Sequence, residues 1–181
     1  NRIVRLNRNN TPPEKPVFNY LPPLNEHNLP YPDTLHPIVI HFVIAMVFFA
    51  FFCDMVGYFT KNTRLYEVSW WNLTFATVSI FIAIIFGQIE AGLAEPYRAA
   101  VDTLNGHTLI GWSLGGILAG VTGWRYVLQL RKQEQLPVPY LVVSTLMVLI
   151  VCVQSYLGTL LVWVYGLHSI PVVDAIREGG L

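Results

Sequence analysis

The chain has 181 residues, of which 54% are hydrophobic and only 12% charged, with equal numbers of acidic and basic side chains. That composition, with its positive mean hydropathy, excludes an ordinary soluble domain of this size and predicts an integral membrane protein surrounded by lipid. A formal net charge of zero removes the electrostatic case for nucleic acid as a partner.

Residues 1–34 differ in kind from the rest. Pro12, Pro13, Pro16, Pro22, Pro23, Pro30 and Pro32 block helix and sheet alike, so the segment is expected to be an extended arm. Phe18, Tyr20 and Tyr31 suit it to lie on a neighbouring subunit; a disordered leader is the alternative. His27, in the arm, reads as a surface residue. The opening "NRIVRL" has no initiator Met and no charged-then-apolar leader, so either a missing true start or a removed segment is expected.

Four apolar runs follow, at about Pro37–Phe59, Trp70–Ala91, His107–Leu128 and Tyr140–Tyr165. Each is long enough to cross hydrocarbon as a helix, which needs about 20 residues at about 1.5 Å per residue. Barrel strands would be shorter and would alternate. The expected fold is therefore an all-α integral membrane protein. It is a four-transmembrane-helix up-down bundle over residues 35–170, with the Pro-rich N-terminal arm before it and a C-terminal tail at 171–181. Loops 60–69 and 129–139 carry Lys61, Arg64, Arg131 and Lys132, with Arg125 at a span edge, so the positive-inside rule makes that face cytoplasmic. The termini then fall on the outer or lumenal side, although Arg2, Arg5 and Arg8 in the arm argue for the reverse.

This topology gathers the histidines. His36 and His41 open the first span, His107 opens the third and His168 follows the fourth, so all four come to one membrane surface whichever way the bundle is oriented. His36 and His41 are about 7.5 Å apart along the axis and rotated by about 140°, so they look in different directions and cannot easily grip one ion together. Imidazoles in hydrocarbon are costly unless paired or ligated, and imidazole is the usual axial ligand of an electron-carrying haem held between facing helices. Gly106, Gly111, Gly115, Gly116, Gly120 and Gly123 make the third helix thin, which suits either the edge of a macrocycle or close helix packing.

The other intramembrane polar residues invite simpler readings. Asp54 lies about 27 Å beyond His36, near the opposite surface, as an interfacial carboxylate paired with Arg125 or Arg64. Gln88 and Glu90 end the second span on the histidine side. They read either as groups around a ligand or, more simply, as helix-end residues in water. Gln154 is expected to hydrogen-bond between helices, and Cys53 and Cys152 to be packing thiols.

"LHPIVIHF", a first span ending "FCDMVGYF", "GHTLIGW" opening the third span and "LGTLLVWVYGLH" closing the fourth carry a resemblance over about residues 28–169. They resemble a family of four-helix bacterial membrane proteins first catalogued as a domain of unknown function. Members are frequent in cyanobacteria, and some are encoded beside haem-copper terminal oxidases; "NEHNLPYPDTLHPIVIHF" resembles these oxidase-linked members in particular. The resemblance makes His36, His41, His107 and His168 the characteristic positions, with Asp54 as the acidic residue closing the first span, and implies a b-type cytochrome role. Val43 stands where the family commonly has proline after "HF".

The expected function is thus that of an electron-transfer subunit holding one or two b-type haems, paired His41 with His107 and His36 with His168. It would sit in a bacterial cytoplasmic or thylakoid membrane and exchange electrons with quinol or with other subunits of a redox complex such as a terminal oxidase. Nothing in the sequence supplies a nucleophile, an acid–base pair or a nucleotide loop, so an independent hydrolase or transferase is not expected. The alternatives are a cofactor-free structural or assembly subunit, and a copper or zinc site built from the same histidines.

Overall fold

A computed structural model describes residues 32–93 and 96–167. It is all helical over these residues: α1 (Pro32–Thr60), α2 (Thr63–Leu93), α3 (Arg98–Leu130) and α4 (Val138–Trp163). Most of the arm, with His27, and the C-terminal residues from His168 onward lie outside the described residues.

Three helices, α1, α2 and α4, are long and apolar enough to cross a membrane. Their outward faces are apolar: Phe42, Phe49, Phe52, Phe75, Ile85 and Leu149 are all exposed. Such a surface is stable against lipid, whose tails are as apolar as the side chains. Successive helices pack side by side and α4 closes the ring against α1, while the backbones of the diagonal pairs stay apart among the described residues. The α1–α2 pair packs most extensively and the α4–α1 pair least. The interior is filled by Val43, Val47, Ala50, Leu73, Leu118 and Met147, among others.

The helices overrun the apolar runs that announce them. The expected ten-residue loop at 60–69 shrinks to Lys61 and Asn62, with Lys61 in the left-handed region (φ 56°) and Asn62 N–H closing the turn on Gly57 O at 3.1 Å. Charged residues such as Arg64 and Glu67 end a hydrophobic run without ending a helix, because their helix propensity is good. α1 likewise opens at Pro32, inside the segment expected to be extended, since proline's fixed φ suits a first helical position. α3 starts nine residues before His107, so His107 is an interior residue of its helix.

At the end away from the histidines, one side chain ties all four helices. Arg125 of α3 is 2% exposed and Asp54 of α1 is 1% exposed, and they pair at 3.3 Å. Arg125 also donates to Tyr66 O of α2 at 2.9 Å, and Tyr140 OH of α4 donates to Asp54 at 3.2 Å. The guanidinium lies over the rings of Tyr66 and Tyr140, 5.1 and 5.6 Å from their centres. The sequence offered Arg125 or Arg64 as the partner of Asp54. The partner is Arg125, and the pair is buried rather than interfacial because the guanidinium reaches across the bundle between helices whose backbones lie far apart. Half-way along, Thr77 of α2 and Thr122 of α3 share a hydrogen bond of 2.7 Å.

Candidate functional site

The histidine end is built from one polar group on each helix, and each imidazole is seated by a glycine. His36, in the first turns of α1, places Nδ1 2.8 Å from the carbonyl oxygen of Ala83 on α2. A carbonyl only accepts, so Nδ1 carries the proton and Nε2 is left with a free lone pair. Gly87, one turn beyond Ala83, lies directly under the ring: a Cβ there would stand 2.9 Å from His36 Cε1, closer than real contacts allow. His107 of α3 lies against Gly158 of α4, where a Cβ would stand 3.2 Å from its Cε1. Gln154, one turn before Gly158, donates its amide to His107 O at 3.0 Å and faces His107 Nε2 at 3.2 Å.

These contacts bring two of the predicted histidines together. The rings of His36 and His107 have centres 6.4 Å apart and planes crossed at 82°. His41 does not join the pair. It is exposed, with Nδ1 hydrogen-bonded to Pro37 O one turn back on its own helix, as the rotation between positions 36 and 41 requires. His168 lies outside the described residues.

Space opens on both sides of the pair. Between α1 and α4, the loosest seam of the bundle, lies a cavity of about 500 Å³ whose wall includes His36, His41, His107 and Gln154. A smaller one of about 90 Å³ lies toward α2 and α3, bounded by His36, Gly87, His107 and Gly111. Glu90 borders both and is only 4% exposed. It was expected as a helix-end carboxylate in water, but α2 continues past it to Leu93 and turns it inward. The end of the bundle is covered by Ala100, Leu161 and Leu167, with Tyr97 OH bonded to Tyr165 O at 2.9 Å and Thr103 to Tyr165 OH at 3.2 Å. Among the described residues, His107 Nδ1 and Gln154 Oε1 are buried without a hydrogen-bond partner. Such groups cost about 1–3 kcal/mol each, and atoms of Asp54, Tyr66, Ser69, Arg125 and Ser144 share that state; at the histidine end the two residues that carry them also line the cavity of about 500 Å³.

A family model described as "Predicted membrane protein (DUF2231)" matches residues 32–171. The chain belongs to the DUF2231 family. Neither the curated proteins nor the solved structures searched contain a match. The DUF2231 match begins with α1 and takes in all four helices together with His168.

Sequence reasoning named both members but paired them otherwise, His107 with His41 and His36 with His168; the rotation of α1 turns His36 rather than His41 toward His107, and the inter-helix bond of Gln154 was anticipated. It missed Gly87, Gly158 and the carbonyl of Ala83. The glycines did leave a signal, as single glycines inside the runs "IIFGQIEA" and "SYLGTLLV". A backbone carbonyl leaves none. Of the third-helix glycines, Gly111 and Gly115 face neighbours, whereas a Cβ on Gly106, Gly116, Gly120 or Gly123 would meet nothing within 4 Å.

Proposed function

We propose that this protein is a b-type haem-binding electron-transfer subunit of a membrane complex, with His36 and His107 as the axial ligands. One observation carries the reading: the 6.4 Å between the two ring centres. Two metal–imidazole bonds of about 2 Å each, extended by the ring radii, put the centres about 6 Å apart. Crossed ring planes are no obstacle, because an imidazole nitrogen can bind iron at any ring angle about the bond, so the crossing that the protein imposes would be kept. The Nδ1–H of His36 on a backbone carbonyl is the outer contact that metal-bound histidines commonly make. The cavities on either side of the pair lie where a macrocycle would extend, and the larger falls within the usual ligand range of about 300–1,000 Å³.

Bound there, haem supplies a one-electron couple. The chain's own residues do the rest: Ala83 O and Gly87 fix the ring of His36, Gly158 seats that of His107, and the cover of Leu161 and Leu167 limits the access of water. Donor chemistry favours haem over bare copper or zinc. A porphyrin leaves only two positions for the protein to fill, whereas zinc takes three or four side chains. Among the described residues no three of His, Cys, Asp and Glu are grouped to hold a metal ion.

The same reading makes α3 the fourth span. Residues 103–124 carry no Asp, Glu, Lys or Arg, and Arg125, which follows them, is neutralised inside the bundle by Asp54. What lowers its hydropathy is glycine, serine and threonine rather than charge. The basic residues Lys61, Arg64, Arg131 and Lys132 then put the Asp54–Arg125 end in the cytoplasm and the histidine site on the outer or lumenal side. Quinol or an oxidase subunit is the electron partner that the sequence resemblance suggests.

The test is a visible spectrum of the purified protein, oxidised and reduced. A sharp α band on reduction is expected in the wild type and in His41→Ala, and is lost in His36→Ala and His107→Ala. A folded wild-type protein that neither carries nor takes up haem overturns the proposal, and copper in a colourless protein would replace it with the metal-site reading.

A further inference from the structure

The position of Gln154 has a consequence for how the site is loaded. Its amide nitrogen is 3.0 Å from His107 O and 3.2 Å from His107 Nε2. A carbonyl oxygen only accepts, so the amide end facing it must be the nitrogen; its oxygen there would set two acceptors against each other. The same nitrogen then donates to His107 Nε2, which must be unprotonated. The ring is therefore held in the tautomer whose proton is on Nδ1. His36 is held in the corresponding tautomer by a different device, Nδ1–H on Ala83 O. Both imidazoles thus present Nε2 as a lone pair, one of them covered by an amide.

The geometry points to Gln154 as a positioning residue that holds the place of the iron on His107: it selects the Nδ1–H tautomer in the unloaded protein and must swing aside for haem to bind. This rests on the proposed haem site. The side chain is buried and comes from α4, which borders the large cavity against α1, so it stands on the route by which a ligand would reach His107. Gly111, across on α3, leaves the space it occupies: a Cβ there would lie 3.2 Å from the amide nitrogen.

Two substitutions separate selection from obstruction. Gln154→Met has similar length and no donor, so it removes the competitor for Nε2; haem should associate faster and bind about tenfold more tightly, the equivalent of about one hydrogen bond no longer broken on loading. Gln154→Glu replaces the donor with an acceptor, which draws the proton onto Nε2 and blocks the ligating lone pair. Haem affinity should fall by about tenfold, the equivalent of one further hydrogen bond to break, and a proton to move, before Nε2 is free. The second readout needs no haem. Nitrogen-15 NMR of labelled histidine in the unloaded protein should show His107 protonated on Nδ1 in the wild type and on Nε2 in Gln154→Glu. If the wild type binds haem and both variants match it, the role of Gln154 is refuted while the haem site stands. An Nε2–H tautomer in the unloaded wild type refutes it as well. Failure of the wild type to take up haem in any form removes the proposed function and this inference together.

Discussion

Gly87→Ala adds one methyl group beneath His36, and the structure sets the size of its effect. The added carbon would stand 2.9 Å from Cε1 and 3.0 Å from Nδ1 of the imidazole. Carbon contacts settle at about 3.5–4.0 Å, so the ring must withdraw by about 0.6 Å or more. Ala83 lies one turn away on the same face of α2, so this movement also stretches the 2.8 Å bond from Nδ1 to its carbonyl toward about 3.4 Å, beyond the useful range. The fold should lose about 1–3 kcal/mol from overpacking. Haem affinity should fall by about 10- to 100-fold, because the ring no longer points along its ligating direction. Titration of purified apoprotein with haem, followed in the Soret region, measures this directly. Gly116→Ala is the control: it makes the same chemical change on α3, where a Cβ meets nothing within 4 Å. If Gly87→Ala binds haem within about twofold of the wild type, the seat assigned to His36 is wrong.

Three further outcomes follow from the same contacts. Gly158→Ala should act in the same direction through His107 but more weakly, since its Cβ would clear Cε1 by 3.2 Å rather than 2.9 Å; an effect larger than that of Gly87→Ala would contradict the ordering. Asp54→Ala and Arg125→Met should each cost about 3–5 kcal/mol by stranding a buried partner, and the double variant should regain most of it; denaturant unfolding in micelles reads the cycle, and single variants within about 0.5 kcal/mol of wild type would show the pair to be idle. Neither change should move the haem spectrum, because the ion pair and the histidines occupy opposite ends of the bundle. His41→Ala should likewise keep the reduced α band, and its loss would return His41 to the ligand set.

What could be read from the sequence followed from properties that survive averaging along a helix. The number of helices, the meeting of His36 and His107 at one end and the placing of Asp54 at the other depend only on hydropathy and rise per residue. So did the role of Gln154, since a mid-span amide has few partners except another helix. Helix ends were less legible: Arg64 and Glu67 mark the end of an apolar run, yet α2 begins before them at Thr63. Rotational phase was the main loss. The sequence says that His36 and His41 point about 140° apart, but which of them faces the interior is decided by how α1 lies against α2, through contacts such as Ala83 O and Gly87. Glu90 was misjudged for the same reason. The apolar run already reached Ala91, past Glu90, but which face of α2 turns inward at its end is announced by no hydrophobic pattern.

The crossed arrangement of His36 and His107 gives the account its most direct test, the electron paramagnetic resonance spectrum of the oxidised, haem-loaded protein at low temperature. Imidazole planes crossed at 82° would leave the d orbitals of an iron held between them nearly equal in energy, so the proposal predicts a strongly anisotropic low-spin ferric signal with a single large-g feature. It should disappear in His36→Ala and in His107→Ala. A high-spin signal in the loaded wild type, or a signal that persists unchanged in either variant, would contradict ligation of iron between these two rings.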